Sequence, residues 1–129
     1  MGIILGIDYG RKKVGLAMST EGMATPLSVL KYEDQDKLLI ELEKVVDREK
    51  VERVVIGVSE GQMARESLDF AKMVEEKLQL VVDVEDETLT SRDAQRLSIE
   101  AGIKRKKRRN MEDAYSAALM LQKYLDNLA

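Results

Sequence analysis

The sequence of 129 residues contains no cysteine and no histidine. Without cysteine there can be no disulfide framework and no thiolate metal site. Without histidine the chain lacks the commonest general base and the commonest zinc ligand. Any enzymatic chemistry must therefore come from carboxylates, hydroxyls, lysines or a bound ion.

Aromatic residues and long apolar runs are also scarce. The chain has one phenylalanine and no tryptophan, which argues against a platform of aromatic rings for stacking single-stranded nucleic acid. No apolar segment approaches the roughly 18 residues of a membrane span, and the N-terminus lacks the order of charge, apolar run and cleavage site of a signal peptide. We therefore expect a cytoplasmic protein without a membrane partner.

Length and composition predict a single folded domain over residues 1–129. The chain is 44% hydrophobic, and 129 residues are enough for one packed core but too few for two comfortable ones. We find no internal repeat and no linker.

The charge is unevenly distributed. The formal charge is −3, but residues 104–109, Lys-Arg-Lys-Lys-Arg-Arg, hold six of the 21 cations, which leaves 15 bases against 24 acids, or −9, elsewhere. A basic block on an acidic body predicts a face that binds a polyanion. A solvated basic loop is the alternative interpretation.

The residues at the start of the chain organise the rest of the prediction. A nearly apolar run, residues 3–7, ends in Asp8 and is followed by Gly10 and three cations. A short apolar run bounded by turn residues indicates a strand buried on both faces, and a carboxylate at its end is a candidate for chemistry. The alternative is a hairpin turn in which Gly10 has positive φ and Asp8 bonds its own backbone.

The apolar spacing of the whole chain predicts an α/β fold. The expected strands are 3–7, 14–18, 25–30, 51–58 and 80–84, and the expected helices are 36–49, 63–78, one from Thr90 or Ser91 to about Ala101, and 111–128. The first three strands are joined by short turns and should be antiparallel, whereas the strand-helix-strand units imply parallel pairing. The prediction is a five-stranded mixed sheet with helices on both faces, in which the basic block bridges to the last helix.

Three acids are placed where strand ends and helix starts converge: Asp8, Glu87 and Asp113. Carboxylates without histidine make an oxygen-lined site that suits Mg²⁺ or Mn²⁺. Two such ions about 3.5–4 Å apart can drive phosphodiester hydrolysis without a histidine base. Each acid also has a simpler interpretation, because Glu87 lies in an acidic loop and Asp113 follows Asn110 at the spacing of a helix cap.

The cations near these acids predict a nucleic-acid partner. They are Arg11, Lys12 and Lys13 beside Asp8, and Lys104, Arg105, Lys106, Lys107, Arg108 and Arg109 before Asp113. Phosphodiester cleavage requires acidic side chains inside the site and basic side chains around it, because the basic side chains contact the phosphates that flank the scissile one.

Three motifs in register resemble the YqgF group. They are Gly6-Ile-Asp-Tyr-Gly-Arg11 with Gly15-Leu-Ala17, then Asp86-Glu-Thr-Leu-Thr90, then the basic block leading into Asp113-Ala-Tyr-Ser-Ala-Ala118. This group of small bacterial proteins belongs to the RNase H-like superfamily and is related to the RuvC junction resolvases. The resemblance covers essentially the whole chain and departs from the family pattern at Ser59 and Thr88.

The resemblance implies an RNase H-like fold and a nuclease that depends on Mg²⁺ or Mn²⁺. It implies that Asp8, Glu87 and Asp113 are the catalytic acids and the metal ligands. The group is assigned to maturing the 5′ end of precursor 16S ribosomal RNA and was earlier described as Holliday junction resolvases. We therefore expect structured precursor rRNA, within the small-subunit precursor, as the substrate of a monomer or homodimer.

Three other functions remain open from the sequence. The same chemistry on branched DNA would make the protein a Holliday junction resolvase. A chain that kept the fold without catalysis would be an RNA-binding ribosome-assembly factor. The loop after Asp8 also resembles the phosphate loop of actin-like ATPases, but those enclose ATP with a second such domain that this chain lacks.

Overall fold

The computed structural model describes residues 2–58, 61–86 and 105–128, with the side chains of 105–110 outside that description. The elements are β1 (Ile3–Asp8), β2 (Lys13–Thr20), β3 (Met23–Lys31), α1 (Gln35–Glu49), β4 (Val51–Val58), α2 (Gln62–Leu78), β5 (Val81–Asp86) and α3 (Arg105–Leu128). The five strands form one sheet in the order β3-β2-β1-β4-β5. The pairs β1/β2 and β2/β3 are antiparallel, and β1/β4 and β4/β5 are parallel. The predicted mixed sheet is confirmed.

Helices cover both faces of the sheet. The larger core cluster joins α1 and α2 to one face, with Leu42 and Phe70 packed against Ile7 and Leu16 of the central strands. The smaller cluster joins α3 to the other face through alanines and Leu121. Because side chains alternate along a strand, β1 contributes Leu5 and Ile7 to the first face and Ile4, Gly6 and Asp8 to the α3 face.

The first two helices match their sequence signals. In α1 the buried residues are Leu38, Leu39, Leu42 and Val45, as the helical spacing predicted. Asp34 caps this helix, since its Oδ1 accepts a hydrogen bond of 2.8 Å from the Asp36 amide, and one orphan N–H of the helix start is thereby satisfied. In α2 the buried residues are Ser67, Phe70, Ala71 and Val74.

The last helix is longer than the sequence suggested. It begins at Arg105 rather than at residue 111, so residues 105–109 of the basic block are helical and do not bridge to the helix. Asp113 consequently lies in the third turn, and the prediction that it sits in the first turn, capped by Asn110, is wrong. Arginine and lysine are good helix formers, which allows the helix to extend upstream of its apolar stripe. At the other end, Leu128 is 47% exposed and does not join the stripe.

The turn interpretation of Asp8 also fails in one respect. Among the described residues the glycines with positive φ are Gly22 and Gly61, not Gly10. Gly10 is instead required for space, because a Cβ atom there would lie 2.6 Å from the Lys13 carbonyl oxygen. Pro26 lies on β3, at the edge of the sheet, where a missing backbone N–H is tolerated.

The helix predicted from residue 90 to 101 lies outside the described residues. Within the described part of the chain, no helix is both long and apolar enough to cross a membrane.

Candidate active site

Asp8 ends β1 between two glycines. Its partner on β2 is Gly15, and its partner on β4 is Gly57. Because directly paired residues point to the same face of a sheet, both sheet neighbours of Asp8 on the α3 face lack a side chain. Neither strand neighbour of Asp8 therefore places a side chain beside the Asp8 carboxylate.

Gly15 also lets α3 approach this end of the sheet. A Cβ atom on Gly15 would lie 2.0 Å from the Asp113 carbonyl oxygen and 2.8 Å from the Ala114 backbone nitrogen. Such distances are far inside van der Waals contact, so only glycine fits. Since Gly15 is the strand partner of Asp8, this contact brings Asp113 to the side of the sheet that Asp8 faces.

Asp8 and Asp113 line one cleft of about 320 Å³. The other lining residues are Tyr9, Gly10, Arg11, Lys12 and Lys13. Two of the three predicted acids and all three predicted loop cations therefore meet at one site.

Lys13 and Asp113 form an ion pair inside this cleft. Lys13 Nζ lies 3.1 Å from Asp113 Oδ2, with side-chain exposures of 51% and 30%. The same Oδ2 atom is buried and accepts no hydrogen bond of acceptable geometry. The ammonium group therefore attracts this oxygen electrostatically, an interaction that depends little on angle, without donating a hydrogen bond to it. The buried oxygen thus keeps its acceptor capacity.

These donors suit a hard divalent cation. Carboxylate oxygens are the ligands that Mg²⁺ and Mn²⁺ prefer, and Asp113 Oδ2 is a buried oxygen whose acceptor capacity is unused. Across residues 2–58, 61–86 and 105–128, no three acidic side chains are grouped closely enough to hold a metal ion. Glu87, the third predicted ligand, lies outside the described residues.

The loop of residues 9–12, which we call the cation loop, carries Arg11 and Lys12 and is anchored by Tyr9. Tyr9 is buried and its ring stacks on Phe70 of α2, with centroids 4.3 Å apart and an interplanar angle of 18°. Its hydroxyl accepts a hydrogen bond of 2.8 Å from Gln35 Nε2. These contacts give Tyr9 a packing role in holding the loop.

Tyr32 holds the same loop from the end of β3. Its hydroxyl donates to the Gly10 carbonyl oxygen, and its amide donates to the Lys12 carbonyl oxygen at 2.9 Å. Burial, with a smaller contribution from the Tyr9 hydroxyl, raises the pKa of Tyr32. Tyr32 therefore stays a neutral donor at physiological pH.

Arg11 is held by α2. Its Nη2 lies 2.8 Å from Glu66 Oε2, and its Nε also donates to this carboxylate. The hydrogen bond and the charge of Glu66 raise the pKa of Arg11, and the hydrogen bond from Arg11 lowers the pKa of Glu66. A bidentate pair of this kind fixes the guanidinium plane, so Arg11 reaches the cleft with a defined orientation.

On the α3 face of the sheet, a network of hydrogen bonds and ion pairs connects α3 to β4 and β5. Tyr124 donates a hydrogen bond to Asp83 Oδ2 and accepts one of 3.1 Å from Arg53 Nη1. Lys123 Nζ lies 3.7 Å from Glu85 Oε1. Glu85 lies level with Asp8 across the sheet, because Gly57 of β4 pairs with both residues. Its contact with Lys123 gives one carboxylate of the acidic segment 85–87 a partner.

Some predicted residues do not belong to the described part of the chain. Lys104, Thr88 and Ser59 lie outside the described residues, as Glu87 does. For Arg105, Lys106, Lys107, Arg108 and Arg109 the structure describes the helical backbone alone.

Sequence reasoning missed three residues near the site: Lys31, Tyr32 and Lys37. All three line a second depression that also includes Arg11, Lys12 and Lys13. Each looked ordinary in the sequence, since a lysine at a strand end and another in a first helical turn have no distinctive spacing. The hydrogen bond from the Tyr32 amide to Lys12 depends on how β2 and β3 pair, which no motif specifies.

Comparisons with known proteins agree with the resemblance seen in the sequence. The family model described as "RuvX: Holliday junction resolvase" matches residues 2–127. A protein of Natranaerobius thermophilus named as a candidate pre-16S rRNA nuclease is 33% identical over 131 residues, covering 95% of this chain and 93% of the relative. A protein of Syntrophomonas wolfei with the same name is 34% identical, with the same coverage of 95% and 93%.

A solved structure supports the fold. T. thermophilus RuvC in complex with a Holliday junction substrate superposes with a TM-score of 0.65 at 18% identity, covering 98% of this chain and 96% of that one. The chain therefore has the fold of the RuvC-like, RNase H-fold resolvases, which confirms the fold class predicted from the sequence.

Proposed function

The chain belongs to the RuvX family, whose model is described as "Holliday junction resolvase". We propose that this chain is a metal-dependent endonuclease that processes the 5′ end of precursor 16S rRNA. The relatives at 33–34% identity are named for this RNA. The observation that carries the proposal is the shared cleft, in which Asp8 and Asp113 are rimmed by Arg11, Lys12 and Lys13.

Each residue has a role in this proposal. Asp8, Asp113 and Glu87 would hold Mg²⁺ or Mn²⁺, which when bound activates water and stabilises charge on the scissile phosphate. Lys13 lies beside Asp113 and can contact a phosphate oxygen at the cleft. Arg11, oriented by Glu66, and the basic block 104–109 contact neighbouring phosphates, which positions the substrate without reading bases.

A second candidate is the resolution of Holliday junctions. It is favoured by the description of the family and by the RuvC structure that the fold matches. The acids and the ion would do the same chemistry on branched DNA, so the two candidates differ in substrate and not in site.

The test is cleavage of two labelled substrates by the purified chain in Mg²⁺ or Mn²⁺. One substrate is a 5′ fragment of precursor 16S rRNA and the other is a four-way DNA junction. Asp8→Asn is the inactivating variant, and Asp47→Asn, an exposed carboxylate in the last turn of α1, is the matched control. We expect cutting of the RNA by the wild type and by Asp47→Asn, with none by Asp8→Asn.

The other outcomes separate the alternatives. Cutting of the junction alone would replace rRNA processing with junction resolution. RNA binding that needs no metal, survives Asp8→Asn and leads to no cutting would establish a non-catalytic assembly factor. Metal binding is checked independently by Tm, since an ion that binds the folded state alone stabilises it by about 2.7 kcal/mol at 100 times its Kd. Asp8→Asn should reduce that rise and Asp47→Asn should not.

A further inference from the structure

A larger depression lies beside the cleft, and we call it the lysine groove. Its volume is about 1140 Å³, more than three times that of the cleft. Its charged and polar lining residues are Arg11, Lys12, Lys13, Lys31, Tyr32, Glu33, Lys37 and Glu41. It runs from the cation loop past the end of β3 to the first turns of α1.

The lysine groove and the cleft are neighbours that share three lining residues. Arg11, Lys12 and Lys13 line both of them. A strand whose scissile phosphate lies at Asp8 and Asp113 can therefore continue into the lysine groove without leaving positively charged surface.

The groove carries cations that the fold leaves unpaired. Within the described part of the chain, the ammonium groups of Lys12, Lys31 and Lys37 form no ion pair or hydrogen bond, whereas Glu41, one of the two lining acids, already pairs with Lys44 at 3.2 Å. The groove is thus positive on a chain whose formal charge is −3.

One strand pair places two of these cations opposite each other. Lys13 and Lys31 are direct cross-strand partners, and like charges in that position repel. Asp113 offsets the charge of Lys13, but no described residue offsets that of Lys31. A bound polyanion would remove this repulsion.

The backbone of the groove is held in place before any ligand arrives. Tyr32 bonds the backbone of Gly10 and Lys12, and Arg11 is tied to α2 by Glu66. Its one aromatic lining residue, Tyr32, is half-buried with its hydroxyl engaged, so it is poorly placed to stack on a base. The chemistry that fits is a phosphodiester backbone, contacted by charge and without base recognition.

We propose that the lysine groove binds the phosphodiester backbone of the RNA segment next to the scissile phosphate, with Lys31 and Lys37 as contacts beyond the cation loop. This inference rests on the proposed function for the identity of the nucleic acid. It adds a phosphate-binding surface on the α1 side of the cleft to the one predicted from the sequence at residues 104–109.

The test measures RNA binding without cleavage. The full chain is titrated in EDTA against a labelled 5′ fragment of precursor 16S rRNA at several salt concentrations. The variant Lys31→Gln/Lys37→Gln is compared with Lys72→Gln/Lys77→Gln, which removes the same charge from two exposed lysines of α2 outside the groove. Lys37→Gln alone serves as a second groove variant if the double variant has a lowered Tm.

We expect the groove variant to bind more weakly, with a salt slope smaller by roughly 0.7 to 0.9 for each phosphate that the variant no longer neutralises. The α2 variant should keep the wild-type slope. Equal losses of affinity and slope in both variants would show an effect of net charge and overturn the proposal, and so would an unchanged slope in the groove variant.

Cleavage by the wild type separates this inference from the nuclease proposal. If the wild type cuts no RNA but the groove variant alone has a reduced salt slope, the groove stands and the nuclease assignment fails. If the wild type cuts RNA and the groove variant binds as the wild type does, the groove assignment fails and the nuclease assignment stands.

Discussion

The α-carbon of Gly15 lies directly under the backbone of Asp113, so closely that a Cβ atom on Gly15 would be 2.0 Å from the Asp113 carbonyl oxygen. This contact joins the strand that pairs with Asp8 to the helix that carries Asp113. The geometry of the candidate site therefore depends on a residue with no side chain.

Gly15→Ala should push α3 away from the sheet. The obstacle is backbone and cannot rotate aside, so we expect a decrease of about 1–3 kcal/mol in the free energy of unfolding, measured by urea denaturation. Gly6→Ala is the graded control, because its Cβ atom would lie 3.0 Å from the Leu121 Cβ atom, a milder overlap that a small shift of α3 relieves. A Gly15→Ala variant as stable as Gly6→Ala would contradict this interpretation of the contact.

Lys13→Gln should increase the affinity of the site for Mn²⁺. The ammonium group lies 3.1 Å from Asp113 Oδ2 and competes with a metal ion for that oxygen. An exposed ion pair contributes about 0.2–1 kcal/mol, so its removal should lower the Kd of the ion by up to roughly fivefold. The readout is the Mn²⁺ concentration that gives half of the maximal rise in Tm.

Lys12→Gln is the matched control for that change. Lys12 lies in the same cleft and has the same charge, but its ammonium group forms no ion pair with the described residues. An equal increase of affinity in both variants would attribute the effect to the overall field of the loop and not to the contact with Asp113.

The pair between Glu66 and Arg11 should make a small contribution to stability that depends on pH. Arg11 lowers the pKa of Glu66 from its ordinary value of 4.5, so the folded state favours the ionised carboxylate. The contribution is present above pH 4.5 and is lost as the pH falls through the lower folded pKa. Glu66→Gln should therefore reduce stability at pH 7 and have less effect at pH 3.

Urea denaturation of the wild type and Glu66→Gln at the two pH values measures this difference. Glu76→Gln, which removes the charge of an exposed glutamate on the same helix, is the matched control. Both groups of the Arg11 pair are exposed to solvent, so added salt should weaken the effect. A difference between wild type and Glu66→Gln that is independent of pH would exclude the ion pair as its source.

Tyr124→Phe should loosen the contact between α3 and the far edge of the sheet. It removes the hydrogen bond to Asp83 and the acceptor for Arg53. Loss of a hydrogen bond to a charged group costs about 1.5–3 kcal/mol, at the lower end here because Arg53 remains 3.7 Å from Asp83. Tyr115→Phe is the control, and an equal decrease of stability in both would mean that the network contributes nothing specific.

The fold was largely predictable from the sequence because its signals are local. The apolar spacing of residues 38–46 and the apolar run before Asp8 correspond to a buried helix face and a buried strand, since periods of 3.6 and 2 follow from backbone geometry. The start of α3 was not predictable in this way. Its first residues are polar, so no apolar period marks them, and the cap signal at Asn110 was misleading.

The sequence by itself determined the five strands, the first two helices, the family and the candidate acids, because these depend on residue type and on spacing along the chain. Only the tertiary structure decided that Asp8 and Asp113 line one cleft, that Lys13 pairs with Asp113, and that Lys31 and Lys37 extend the positive surface. Those relationships join residues that are far apart in sequence. They are set by the strand register and by the approach of α3 over Gly15. Side chains with ordinary local environments acquire such roles through packing alone.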